Sequence, residues 1–149
     1  MIYPQNFEIK TGFDQIRLLL QEQCSSTLGK EKVLEMCFSD DYKDILLALE
    51  LSAEFLAVLH GEQTFPEILF FDLRAVLKRL QVEGSYADQK ELFDLKRSLD
   101  SYHKVLLFLN HKEQATLLYP KLKELAAGQQ TFPRIIEQID SILDKSGEI

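Results

Sequence analysis

The chain has 149 residues, 46% of them hydrophobic and 28% charged, with a formal net charge of −7. This is the composition of a globular domain, long enough to bury roughly two thirds of its unfolded surface without metal or disulfide staples. The acidic balance, with a pI near 5.0, argues against a domain that grips nucleic acid over a broad basic face, because that grip needs cations to displace counterions from phosphates.

Only four prolines and six glycines interrupt a leucine-rich sequence, a balance that favours helices over short strands. The opening MIYPQNFEIK has neither the basic start nor the apolar core of a secretion signal. No apolar run reaches the ~20 residues needed to span a bilayer. The expectation is a soluble, cytoplasmic protein with no membrane partner. Cys24 and Cys37 have no cysteine or histidine at ligand spacing, so they read as reduced, small apolar side chains.

Phe13, Ile16 and Leu20 predict a first helix over Asp14–Gln23, with Gly29 breaking or capping the next segment. KEKVLEM reads as a second, ending near Phe38. The third is long. Tyr42, Ile45, Leu49, Ser52, Leu56 and Leu59 are spaced 3-4-3-4-3, a heptad seam, and Leu47, Leu51, Phe55 and Val58 add a second stripe. Burial on two sides is therefore expected. Asp72 is placed to cap a short helix through Leu80, and VEGSY then reads as a turn. Asp88, with Glu91 three residues on, opens a second long helix in the capping-box arrangement. Its seam of Leu92, Leu95, Leu99, Tyr102, Leu106 and Leu109 has the same spacing as the first. Ala115–Ala127, interrupted near Pro120, and Pro133–Lys145 complete the series. The predicted fold is all-α: an irregular helical bundle of six or seven helices, the two long heptad-patterned helices packed antiparallel. No linker divides the chain, so residues 1–149 read as a single helical domain.

The stretch GEQTFPEIL, Gly61 to Leu69, returns as GQQTFPRII, Gly128 to Ile136. Each glycine follows a helical run, where positive φ ends helices. Thr64 and Thr131 are placed as N-caps, and Pro66 and Pro133 fall in the next first turn, where a missing N–H is harmless. Phe65 and Phe132 would pin each corner. The repeat reads as chain punctuation used twice, since the segments upstream do not align.

Chemistry-bearing patterns are sparse. Asp40, Asp41 and Asp44 form a D-D-x-x-D, the pattern that holds Mg²⁺ against diphosphate in helical isoprenoid synthases. Its second acidic cluster is lacking, since Asp140 and Asp144 make only an i,i+4 pair, so helix capping by Ser39, Asp40 and Asp41 is preferred. TLGKEK resembles the end of a phosphate loop, but Cys24 stands where glycine belongs and Glu31 where a hydroxyl belongs. His60, His103 and His111 share no ligand spacing and read as helix-end or surface residues. Basic residues cluster at Arg74, Lys78 and Arg79, and at Lys96 and Arg97. Arg74 and Lys78 lie i,i+4 on one helix face. With Arg79 they are the candidate nucleic-acid contact, weighed against a solvated face paired with acidic neighbours.

Taken in order, FDQIRLLLQEQCSSTLGKEKVLEM, FSDDYKDILLALELSAEFLAVL, FFDLRAVLKRLQVEGSYADQKELFDLKRSL, YPKLKELAAG and FPRIIEQIDSILDKSGEI resemble the N-terminal helical core region of the MutS family. The nearest likeness is to the bacterial paralogue that lacks the mismatch-reading domain and carries a C-terminal Smr nuclease domain. Phe13-Asp14 with Ile16, Leu28-Gly29-Lys30, Ala53-Glu54, Asp72-Leu73-Arg74, and Ile139-Asp140 before Gly147-Glu148-Ile149 carry it. The resemblance implies an N-terminal fragment of a larger, dimeric protein that uses ATP and Mg, binds branched or mismatched DNA, restrains recombination, and in some lineages acts on stalled ribosomes. The family's catalytic residues lie in its Walker and Smr segments, so the resemblance implies no catalytic residue, cofactor or metal in this chain. Its implied role is a non-catalytic helical scaffold joining the ATPase to the DNA-facing clamp. Its implied partners are the remaining domains of the parent, a second parent copy, and DNA through the parent. Two other readings stand beside it: a stand-alone adaptor that takes a partner helix on an exposed stripe, and a Mg-diphosphate enzyme built on Asp40, Asp41 and Asp44.

Overall fold

The computed structural model describes residues 6–61, 64–110 and 119–148. Among them are eight α-helices and no strand: α1 (Phe7–Thr11), α2 (Phe13–Gln23), α3 (Thr27–Glu35), α4 (Tyr42–His60), α5 (Arg74–Leu80), α6 (Gln89–Asn110), α7 (Pro120–Ala126) and α8 (Pro133–Asp140). The all-α expectation holds. The helix beyond the expected six or seven is α1, whose five residues are too few to show a period. His111, the predicted helix start at Ala115, and Glu62 and Gln63 of the repeat lie outside the described residues. Contacts divide the chain into two compact units, Met1–Phe38 and Ser39–Ile149.

In the first unit α1 ends at Gly12, whose φ of 75° is the left-handed geometry that glycine adopts most readily. Arg17 of α2 donates to the Glu8 carboxylate at 2.9 Å and to the Met36 carbonyl at 2.8 Å, and its guanidinium lies 5.1 Å from the Phe13 ring centre. This side chain ties α1, α2 and the segment after α3 together. Gly29 does not break the helix there. Ser26 is the N-cap of α3, its hydroxyl accepting the Gly29 N–H at 3.0 Å, which places Gly29 in the first turn. Cys24 and Cys37 are both free thiols.

The second unit is organised by α6, against which α7 and α8 pack, while α4 also packs on α7. Val58, 1% exposed, joins Leu106, Leu109, Leu122 and Ala126 in the core. The two long helices do not zip together along their seams. The α6 seam faces inward, whereas α4 leaves Leu49 63%, Leu56 56% and Leu59 57% exposed, so it is buried on one side and not two. Phe65 is the physical reason. It stands edge-on to both Phe55 of α4 and Phe108 of α6, with ring centres 5.2 and 5.3 Å away. The second stripe of α4, through Leu51 and Val58, therefore faces the core.

The repeated corner divides its expected functions between its copies. Gly128 has φ 77° and Pro133 sits in the first turn of α8, as expected. Thr131 is not the cap, since Phe132 holds the N-cap position, and Phe132 is left 43% exposed, unlike the half-buried Phe65. In the first copy Phe65 is the pin, but Gly61 has φ −72° and Pro66 starts no helix. The chain from Thr64 to Leu73 is non-helical. Along it the Leu69 N–H donates to Ser101 Oγ at 3.0 Å and the Phe71 N–H to Ser98 Oγ at 3.1 Å. Later residues of the segment meet earlier residues of the helix, so the segment runs antiparallel to α6.

Candidate functional site

The D-D-x-x-D run caps α4. Asp41 Oδ1 accepts the Lys43 N–H at 2.8 Å and the Asp44 N–H at 3.1 Å, while Ser39 Oγ accepts the Asp41 N–H at 3.2 Å. That is the geometry of an N-cap at the positive end of a helix. Among the described residues no group of three His, Cys, Asp or Glu side chains is arranged to hold a metal. The phosphate-loop look-alike is likewise a helix start, with the Gly29 N–H already occupied by Ser26. His60 ends α4 exposed, and His103 is half-buried on α6.

The structure keeps Arg74, Lys78 and Arg79 together on α5, all exposed. Arg74 Nε donates to Asp72 Oδ1 at 2.8 Å, and Arg79 donates to Glu91 and to the Tyr86 carbonyl. Among the described residues no ion pair involves Lys78. The Arg74 side chain holds the Asp72 carboxyl down at about 2, from an ordinary 3.8. Exposed pairs like these contribute little energy and exchange readily, so α5 can offer its cations to a phosphate at small cost. Asp72 does not provide the N-cap, which is Leu73, but its carboxylate still accepts the Arg74 N–H at 3.2 Å. The other basic pair is structural. Lys96 is bound to Asp140 of α8, and Arg97 lies 5.0 Å from the Phe71 ring and 5.4 Å from the Phe93 ring.

Comparison with known proteins supplies what this geometry leaves open. The chain is 28% identical over 137 residues to Endonuclease MutS2 of Geobacillus sp. (strain WCH70), and 25% identical over 138 residues to that of Alkaliphilus oremlandii (strain OhILAs). Endonuclease MutS2 of Geobacillus thermodenitrificans (strain NG80-2) is 29% identical over 139 residues. Each alignment covers 92% of this chain and 17% of the relative. Over nearly its whole length the chain is MutS2-like. No family model matches it, and no solved structure does.

Within this MutS2-like region the most deliberately placed polar groups were not singled out as such from sequence. Glu54 of α4 accepts the Lys121 and Leu122 N–H groups at 3.0 and 2.8 Å, so its carboxylate caps α7 from another helix. Tyr119, at the N-cap position, makes no side-chain cap of its own. Asp144 Oδ1 accepts from the Ser146 N–H, the Ser146 hydroxyl and the Glu148 N–H, at 2.8, 2.6 and 2.8 Å. The Ser146 hydroxyl, followed by the Glu148 N–H, holds the Asp144 carboxyl below its usual range. The last helix ends at Asp140, short of the predicted Lys145, and this Asx-type turn follows it. Glu54 carried a sequence signal, an acidic residue inside an apolar helix facing the N1 proline of α7; Asp144 carried only the short D-x-S-G turn composition.

Two hollows remain. One, of about 230 Å³, is lined by Phe7, Thr11, Phe13, Cys37 and Phe38, with Glu8 at its edge held by Arg17. The other, about 280 Å³, lies among Arg79, Ser85, Tyr86 and Asp88. Neither gathers an acid, a base and a nucleophile about one point.

Proposed function

We propose that this MutS2-like chain is a non-catalytic helical scaffold of a larger MutS-like, DNA-binding ATPase of the cytoplasm. One observation carries the reading. The similarity takes in 92% of this chain but 17% of each relative, so most of an Endonuclease MutS2 lies outside the aligned region. In this reading ATP, Mg and any cleaving residues belong to the rest of the parent, which also supplies the partner domains and the second parent copy. The scaffold transmits displacement, because helices tied at their corners move as rigid bodies. The cations of α5, Arg74, Lys78 and Arg79, are then the contact with DNA phosphates that the parent holds in place.

The test has two arms. The isolated chain, titrated with a labelled four-way DNA junction and with ATP, is expected to hydrolyse nothing, cleave nothing and show no salt-sensitive binding at roughly 50 µM, where even non-specific DNA-binding surfaces register. The aligned region of the Geobacillus sp. (strain WCH70) protein is then replaced by this chain. The chimera should keep its junction binding, and Arg74→Glu with Lys78→Glu should weaken that binding and reduce its salt slope by about two. Turnover by the isolated chain overturns the scaffold reading. A chimera indifferent to the charge reversals removes α5 from it.

A further inference from the structure

The turn after α5 holds an aromatic ring out in solvent. Tyr86 is 80% exposed, yet the backbone that carries it is fixed. The Ser85 hydroxyl lies 2.6 Å from the Val82 carbonyl oxygen and 2.8 Å from that of Arg79. The Ser85 N–H donates to the Val82 carbonyl at 3.1 Å, and Arg79 reaches the Tyr86 carbonyl at 3.2 Å. We propose that the hollow of about 280 Å³ among Arg79, Ser85, Tyr86 and Asp88 takes one unpaired base of a DNA strand, stacked on Tyr86. The inference rests on the reading that the cations of α5 meet DNA phosphates, and it adds which nucleotides they meet, those outside a duplex.

A ring already fixed in place loses little freedom when a second ring covers it, which is what a stacking platform requires. The polar groups beside it suit the edge of a base. Glu91 and the Tyr86 carbonyl both draw on Nη2 of Arg79, so its Nε and Nη1 keep donors with no acceptor among the described residues. Asp88 accepts the Glu91 N–H through Oδ1, which leaves Oδ2 to accept another. Every base carries at least one donor and one acceptor on its pairing edge, and Asp88 and Arg79 offer the complement of each. In a duplex that edge is taken by the partner base and both ring faces are stacked. A paired base therefore has nothing to present here. The match asks for no particular base, so the hollow separates unpaired from paired DNA and not one sequence from another.

Position agrees with this. Arg79 both closes the row of cations on α5 and lines the hollow, while Arg74 stands roughly 6 Å before Lys78 along the helix. A strand whose phosphates lie on Arg74 and Lys78 brings a base toward Arg79. One stacked base is a weak hold by itself, in keeping with an isolated chain that does not retain a junction.

Photo-cross-linking tests this on the 149-residue chain itself. A short single strand carrying iododeoxyuridine, at about 1 mM to populate a weak site, is irradiated with the chain, and the adducts are located by peptide mass. Tyr42 is the internal control, because it is 74% exposed but lines neither hollow. Labelling of Tyr86 should exceed that of Tyr42 about tenfold, and should fall to the Tyr42 level when the strand is annealed to its complement. In the chimera, Tyr86→Ala should weaken binding to a junction with an unpaired flap by about 5- to 100-fold and spare a fully paired junction, whereas Tyr86→Phe keeps the ring and the affinity. Equal labelling of the two tyrosines overturns the proposal, as does a Tyr86→Ala loss that is absent or equal on the two junctions. Junction binding indifferent to charge reversal at Arg74 and Lys78 strikes the reading of α5 instead, and the labelling ratio in the isolated chain is measured without it.

Discussion

Replacing Gly147 by alanine tests whether the closing turn is locked onto α6. Gly147 has φ +85°, a geometry that costs an L side chain about 1 kcal/mol. A Cβ there would stand 2.7, 2.9 and 3.0 Å from Cγ, Cδ2 and Cδ1 of Phe93. Ring carbons that close must give way, and forcing extra volume into packed surroundings costs about 1–3 kcal/mol. Together these come to about 3 kcal/mol. In a chain of this length each ~1 kcal/mol lowers Tm by about 2–4 °C, so Gly147→Ala should melt roughly 6–12 °C lower. Gly84→Ala is the matched control, with φ +81° but nothing within 4 Å of its Cβ. It should lose only the backbone part, about 2–4 °C. Thermal unfolding followed by helical ellipticity compares the two. Phe93→Leu in the Gly147→Ala background should recover much of the excess, giving a coupling of about 1–2 kcal/mol in a double-mutant cycle. Equal losses at the two glycines, or additivity with Phe93→Leu, would refute the account.

Removing the cross-helix cap by Glu54→Ala should cost about 2 kcal/mol in urea unfolding, because two helix-terminal N–H groups lose a charged acceptor, whereas Glu54→Gln should keep part of it. An unchanged midpoint in the alanine variant contradicts that role. Ser101, 4% exposed, accepts the half-buried Leu69 N–H, so Ser101→Ala should orphan that donor at about 1–3 kcal/mol and speed amide exchange at Leu69. Ser98→Ala, at a half-buried site that water reaches, should cost less. The carboxyls of Asp72 and Asp144 are both held below their ordinary value, Asp72 at about 2. The contribution of Asp72 is therefore full above about pH 4 and is lost as pH falls toward about 2, and that of Asp144 is likewise present at neutral pH and lost in acid. Asp72→Asn and Asp144→Asn should melt below the parent at about pH 6, with the gap closing in acid. A gap constant with pH denies the linkage.

Helix positions were legible where period and cap agreed. The reciprocal bonds of the capping box, from the Glu91 N–H to Asp88 at 2.8 Å and from the Asp88 N–H to Glu91 at 2.9 Å, were foreseeable from two letters three apart. Asp41 was equally plain as a cap. The partner of a stripe was not legible. α4 carries two apolar stripes, and which one faces the core depends on Phe65, an aromatic ring delivered by a segment without a period of its own. The same limit hid the extended run along α6, whose acceptors are serine hydroxyls on a helix distant in sequence. Of the candidate contact, only the i,i+4 placement of Arg74 and Lys78 on one helix face could be read from the sequence, not whether Arg79 points outward with them. Their carboxylate partners Asp72 and Glu91 could not, because those pairings depend on how the chain turns before and after α5.

A site that performs chemistry gathers polar groups whose capacity is open toward one point. Among the described residues of Ser39–Ile149 the well-placed polar groups point elsewhere. Glu54 reaches the start of α7, Ser98 and Ser101 reach the extended segment, Asp88 and Glu91 reach each other's backbone, and Asp144 reaches its own turn. Each such bond closes a corner that would otherwise rely on water, and corners closed by side chains open less readily than solvated ones. A push on the turn after α8 would pass through the Phe93 contact to α6, from α6 to α7, and through Glu54 to α4. That path ends on the face of α4 that is neutral and apolar. Under the scaffold function proposed above, what this unit presents to the rest of the parent is apolar area to bury at one end of that path.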